Sequence, residues 1–542
     1  MKYHHPHFLH TRYILVLILI ISLSACKNES SGGFFSFGGI EELGNAEYIH
    51  KAVTNPPASL YMQDSVTAFY ENRSYLPAWS SPGLRDGLLE ALEASEDEGL
   101  IFGEYHGEKI REDLSNLEDL SEEERSRLDV IMTDAYLKYA SHLYNGKTNP
   151  KDLHEIWDVP SVKIDHLAIL EEAVEEKDFA KALDQIRSNH QIYNELKKSL
   201  KEYRDLSANF QGFEAIPEGE TVEPGEEDSR ISQIQERLEF FGYLKNTDST
   251  GNKYTEELAE ALKSFQEENG IENDGIIGNN TIRFLNKGYD QRRDQILVNL
   301  ERWRWYPRDL GDHFILVNIA NYRLQVVKNG DTVRTHKTMV GTEARKTPVF
   351  SREVKHLVFN PDWTIPPTIQ NKDVIPGMQR NSNYLANRNI KVYDQSGNEV
   401  NPSRINWNGD QAKGLTYRQD PGASNPLGRV KIMYPNEYLI YLHDTPSQAL
   451  FERNSRAESS GCVRVEDAID LAKYLLEDQD EYTSDKVDEI IAGGEKTHVD
   501  MKQEVQVHHF YWTAWRENGR TRFTEDIYNY DKKLLKALKS GS

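Results

Sequence analysis

The chain has 542 residues, enough for roughly three or four domains at about 150 residues each. Hydrophobic residues make up 38% and charged residues 28%, which excludes a wholly disordered chain, and the 10% that are aromatic can fill several cores. A net charge of −24 argues against nucleic-acid binding, where affinity rests on neutralising phosphate.

Lys2 and Arg12 precede an unbroken apolar run from Ile14 to Ile21. A spanning helix needs about twenty apolar residues, so residues 1–25 read as a signal peptide rather than an anchor. Leu23-Ser24-Ala25-Cys26 resembles a bacterial lipobox. That resemblance implies cleavage before Cys26 and lipid on its sulfur, and Lys27 after it favours an outer-membrane lipoprotein facing the periplasm. The other cysteine, Cys462, then has no disulfide partner, and a lone thiol in an exported protein is a candidate nucleophile.

Residues 26–48, rich in serine and glycine, read as a flexible tether. Residues 49–210 read as a helical scaffold. Its clearest helix starts at Ser121, whose hydroxyl can cap the first turn with Glu124 reaching back, and stops at Asn145-Gly146. Residues 211–229, rich in proline, glycine and acid, read as a linker. From 230 to 290, apolar residues at helical spacing and glycine turns predict three short helices in a small bundle.

From about 312 the pattern turns to strands, with Phe314–Ile319 and Tyr322–Val327 followed by a hairpin turn at Asn329-Gly330. Residues of about 360–435, rich in Asn, Pro and Gly, are too many for an ordinary loop and predict an inserted cap or lid. A strand over Tyr438–Leu442 is expected to end at His443, and an amphipathic helix to follow Cys462 closely, through Ala468, Leu471 and Leu475.

Ser459-Ser460-Gly461-Cys462-Val463-Arg464 predicts a glycine turn just ahead of that helix, whose N-terminal dipole would lower the thiol pKa. Gly461 lets another backbone or ring approach, and the amide of Cys462 is a natural oxyanion donor. His443, nineteen positions upstream, can take the thiol proton and return it to a leaving amine, with Asp444 offering a carbonyl or carboxylate to its second nitrogen. Arg464 would hold a substrate carboxylate or brace the turn. His313, His336, His356, His508 and His509 read as structural. No second cysteine or histidine pair has ligand spacing near Cys462, so neither metal nor cofactor is expected.

Residues 230–288 resemble the peptidoglycan-binding domain type 1, through Gly242-Tyr243, Phe265-Gln266, Asp274-Gly275-Ile276-Ile277-Gly278 and Thr281. Tyr441-Leu442-His443-Asp444-Thr445-Pro446 and Ser459-Ser460-Gly461-Cys462-Val463-Arg464-Val465 resemble the active-site motif of the YkuD-type L,D-transpeptidases. More narrowly, they resemble the large multidomain YcbB-like class, as do Asn360-Pro361-Asp362-Trp363, Pro421-Gly422 and the tail Tyr511–Trp515. The resemblance implies a multidomain α+β chain: an all-α scaffold, a small three-helix wall-binding domain, and a β-rich catalytic domain over 312–535 with a cap at about 360–435. It also implies the peptidoglycan stem peptide and glycan as partners, alongside other cell-wall synthesis proteins, and acylation by carbapenems.

On that resemblance Cys462 is the nucleophile and His443 the base. Gly461 and Cys462 line the oxyanion site, with Ser460 as an oxyanion or orienting residue; the backbone of Asp444 orients His443, and Arg464, Tyr441, Trp363 and Tyr417 contact substrate. Cys462 would attack the third residue of a donor tetrapeptide and expel D-Ala, and a neighbouring stem's side-chain amine would resolve the thioester. Two readings stand beside it: an L,D-carboxypeptidase with water as acceptor, and a non-catalytic wall-binding lipoprotein.

Overall fold

The computed structural model describes residues 43–56, 60–160, 163–245 and 251–540. The expected signal peptide, Cys26 and most of the tether lie outside the described residues.

The first helical cluster owes its order to caps and buried apolar faces. Helix Glu122–Asn145 begins with a capping box in which Ser121 and Glu124 satisfy each other's amides, and ends at Gly146 with a φ of 87°. Its buried face, including Leu128, Ala135, Tyr139 and Leu143, packs with Trp79, Phe69 and Phe179 into one core. Asp129 is fully buried there and accepts hydrogen bonds from the amides of Ala78 and Trp79 and the Tyr70 hydroxyl.

The helical region does not keep to itself. Helix Gln191–Ala208 sends Tyr193, Leu196 and Leu200 into the core of the strand-rich part, beside helix Tyr289–Trp305. Strand Trp157–Asp158 adds to the edge of the large sheet, pairing in parallel with Val349 and Phe350. The small bundle forms from helices Ile231–Phe240, Glu256–Glu268 and Asn279–Leu285. The expected linker is docked on it, because Ile216 and Val222 are apolar enough to join its core.

The large sheet is folded into two leaves that share the long strand Asp331–Gly341. One leaf runs from that strand through Arg323–Lys328, His313–Asn318 and Gln506–Phe510 to Val349–Glu353. The other runs through Val463–Val465, Leu442–His443, Val430–Met433 and His356–Phe359 to Thr497–Asp500. Asn329 and Gly330 both take positive φ, 53° and 88°, which makes the expected tight hairpin. The leaves bury a single core that includes Val317, Leu324, Phe359, Ile432, Leu442 and Val463.

The cap is a three-stranded sheet of Trp363–Thr364, Ile390–Tyr393 and Thr416–Gln419 with a core of its own. It ends earlier than the expected 435. Val430–Met433 belongs to the main sheet, because Val430 and Ile432 alternate into the core while Lys431 faces outward.

Candidate active site

Cross-strand register builds the site. Leu442 pairs with Val463 and His443 with Arg464 on parallel strands, while Lys431 pairs with His443 and Met339 with Arg464 on the flanking antiparallel ones. Side chains directly opposite share a face. Met339, Arg464, His443 and Lys431 therefore form one row across four strands, and the apolar partners Leu442, Val463 and Ile432 point into the core. The amide of Val463 donates to the carbonyl of Tyr441, which sets Cys462 opposite Tyr441 on the same face as the row. Cys462 and His443 are thus diagonal neighbours, with backbones about 8 Å apart from the strand spacing and rise.

Cys462 does not precede a helix, as expected, but a strand. Val463 and Val465 are β-branched and fully buried, so pairing with 338–339 and 442–443 wins over helix, which begins only at Ala468. The helix dipole is not what acts on the thiol. Burial pushes its pKa up to about 11, opposed by hydrogen bonds from the backbone and hydroxyl of Tyr441 and by the charges of Arg464 and Lys431. The residue is half-buried, and its sulfur lies 3.6 Å from the carbonyl oxygen of Leu439.

His443 is buried, and its Nδ1 lies 2.6 Å from the backbone oxygen of Asp444. A carbonyl can only accept, so Nδ1 carries the proton and Nε2 the lone pair. Burial, Arg464 and Lys431 push the imidazole down to about 3, against the pull of that carbonyl. The same two cations thus favour a thiolate on Cys462 and disfavour a proton on His443. The Asp444 carboxylate is turned away, accepting from the amide of Arg429 at 2.7 Å and from Gln448 at 3.1 Å.

The turn before Cys462 is braced from within. Gly461 has a φ of 118°, and its amide donates to the Ser459 hydroxyl, which itself donates to the carbonyl of Cys462 at 2.6 Å. Thr347 donates to the Gly461 carbonyl at 2.7 Å while accepting from the Gly341 amide. Gly461 N–H is therefore spent within the turn, whereas the Cys462 amide has no acceptor among the described residues. Arg464 does not brace this turn; its Nη1 reaches Met339 Sδ at 3.8 Å, and its buried Nε has no partner among the described residues. Exposed Ser460 accepts from Arg345 at 2.8 Å.

The cap meets this face at Trp363, whose side chain beside the Tyr441 hydroxyl opposes the upward push that burial gives that phenol. Tyr417, expected to contact substrate, instead fills the cap's core with no exposure and donates to the carbonyl of Ala412. A long apolar ring in a three-stranded subdomain has nowhere better to go.

Four contributors were not expected at the site: Lys431, Thr347, Asn436 and Leu439. The expected strand over Tyr438–Leu442 is shortened to Leu442–His443, because Asn436 folds the preceding residues into a turn. The Asn436 side chain accepts from the amides of Tyr438 and Ile440 and donates to the carbonyls of Tyr434 and Ile440. Leu439 is held at a φ of 57° with its side chain exposed and its carbonyl at the sulfur. An asparagine five residues after a half-buried lysine was the available signal, and only the register gives it meaning.

Residues 312–498 match the family model described as the L,D-transpeptidase catalytic domain, YkuD. Residues 64–200 match a scaffold domain, and residues 227–285 a "Putative peptidoglycan binding domain". A Haemophilus influenzae protein named "Putative L,D-transpeptidase" is 38% identical over 241 residues, which cover 44% of this chain and 48% of that one. The match thus spans about half the length of that curated relative. Among solved structures, the L,D-transpeptidase (residues 123–326) from Xylanimonas cellulosilytica is 15% identical, covering 54% of this chain and 99% of its own, with a TM-score of 0.18. The L,D-transpeptidase from Stackebrandtia nassauensis is 11% identical, covering 54% and 96%, with a TM-score of 0.21.

Proposed function

We propose, for a chain that carries a YkuD-type L,D-transpeptidase catalytic domain together with a scaffold domain and a peptidoglycan-binding domain, that it joins peptidoglycan stem peptides through a thioester on Cys462. The observation that carries this reading is the placing of Cys462 and His443 on one sheet face, with the imidazole's Nδ1 committed to Asp444 and Nε2 left as the base.

Cys462 Sγ attacks the carbonyl of the third residue of a donor tetrapeptide as its proton passes to Nε2. The unspent amide of Cys462 receives the developing oxyanion. The carbon–nitrogen bond to D-Ala breaks, the leaving amine takes the proton from His443, and a thioester remains. A side-chain amine of a second stem then attacks, gives its proton to His443, and the thiol departs with that proton restored. Arg464 and Lys431 stabilise the sulfur whenever it is anionic. We place the protein in the cell envelope, on the strength of the lipobox-like Leu23–Cys26.

Incubation with disaccharide tetrapeptides should yield a cross-linked dimer and free D-Ala, and Cys462→Ala should yield neither. Tripeptide as the sole product would replace transfer with hydrolysis, the L,D-carboxypeptidase reading. Mass spectrometry after a carbapenem should find one adduct, on Cys462; an unmodified Cys462 would overturn the nucleophile assignment.

A further inference from the structure

The row that carries Arg464, His443 and Lys431 continues outward. Lys431 pairs with Val358, and Val358 pairs with His498 on Thr497–Asp500, the last strand of the sheet. Asp500 pairs with His356 on the same face, since it stands two residues from His498 and His356 two from Val358. The backbone thus brings His356 to His498 and Asp500, a pair that the linear sequence keeps far from it. The two imidazoles stack with centroids 4.1 Å apart, and His498 Nε2 lies 2.9 Å from an Asp500 carboxylate oxygen. One donor atom from each of the three lies within 4.8 Å of the others.

We propose that His356, His498 and Asp500 form a binding site for a divalent transition-metal ion, zinc being the best fit, that fastens the edge strand to its neighbour. Two imidazoles and a carboxylate are the donor set such an ion selects, and magnesium or calcium would want more oxygen. Donors around a tetrahedral zinc stand about 3.3 Å apart, from metal–ligand bonds of about 2.0 Å. His498 and Asp500 are exposed and can close that gap by side-chain rotation, while half-buried His356 supplies the fixed point. Lys496, just ahead of this strand, is paired with Asp362, so its charge is compensated.

Three protein ligands leave a fourth position for water. The ion would be far from the thiol, because strands Leu442–His443, Val430–Met433 and His356–Phe359 separate Val463–Val465 from the edge. Its effect is mechanical: among the described residues Thr497–Asp500 has a pairing partner on one side only, and a cross-strand clip holds it against fraying.

The full chain, stripped with a chelator and titrated with zinc chloride by calorimetry, should bind one equivalent and gain thermal stability as binding saturates. Cys462→Ala should retain that binding, whereas His356→Ala and His498→Ala should each weaken it tenfold or more. Loss of zinc binding in Cys462→Ala would assign the ion to the thiol and overturn the proposal. Unchanged affinity in both histidine variants, or no saturable binding below millimolar zinc, would overturn it too. His498 is exposed, so its variant tests the site without threatening the fold.

Discussion

Arg345 grips Asp373 of the cap with both ends of its guanidinium, at 2.8 and 3.1 Å, and at the same time donates to Ser460 beside the candidate nucleophile. The pair is the polar counterpart of the contact between Trp363 and Tyr441: one fastens the cap to the turn before Cys462, the other to the ring facing its sulfur. An ion pair this exposed is worth at most about 1 kcal/mol. Asp373→Ala should therefore leave the thermal midpoint within a few degrees of the parent. It should speed proteolytic nicking of the cap and change kcat/KM by up to about fivefold. Nicking at the parental rate would show that the cap is held elsewhere.

The site holds a neutral thiol and a neutral imidazole at rest, since burial places one at about 11 and the other at about 3. Between pH 6 and 9 the thiolate fraction then grows about tenfold per unit, with no plateau near neutrality. Iodoacetamide labelling of Cys462 should follow that slope. Tyr441→Phe removes a hydrogen bond to the sulfur, so it should raise the thiol pKa and slow labelling several-fold at pH 8. A plateau at pH 7 would mean a preformed thiolate–imidazolium pair.

Local chemistry was legible wherever short-range geometry dictates it. Ser121 with Glu124 announced a helix start, Asn329-Gly330 a hairpin, and Ser-Gly-Cys after a strand-borne histidine a candidate site. What the sequence hid depends on pairing across long separations. Val463–Val465 has three residues, too few to show alternation, so the longer helical pattern after it claimed the cysteine. Lys431 lies in a stretch that composition marked as cap, and only its pairing with His443 puts it at the site. The resemblance puts Tyr417 at the substrate, yet the cap builds its own core around it. His356 meets His498 through strand register, which no spacing rule reaches.

Acid should weaken this fold over a defined window. Burial pushes His142, His154, His443 and His509 down to about 3 and His508 to about 4. Below the unfolded value of 6.5 the unfolded chain binds more protons, so stability rises with pH through that window and is lost as pH falls toward 3. His154 allows a clean test. Both its ring nitrogens are buried without partners among the described residues, and the ring packs on Trp157 and Tyr530 at 4.9 and 4.3 Å. His154→Phe keeps an aromatic ring there and removes the titration. It should raise the thermal midpoint at pH 5 by more than at pH 8; an equal shift at both would separate His154 from the acid sensitivity.

Leu439 is the sharpest backbone demand at the site. A residue with a Cβ pays about 1–2 kcal/mol to sit in the left-handed region, and the four hydrogen bonds of the Asn436 side chain offset that cost. Leu439→Gly removes the strain and keeps the carbonyl that faces Cys462, so activity on a soluble tetrapeptide donor should stay within about threefold of the parent. Asn436→Ala leaves two amides and two carbonyls of the turn unpaired while Leu439 still resists its conformation. Its kcat should fall tenfold or more, with circular dichroism unchanged. Combining the two should recover part of the loss, because glycine no longer needs the asparagine to hold it in place. A double variant no better than Asn436→Ala would show that Asn436 supports Ile440 and Tyr441 instead, through the strand that carries His443.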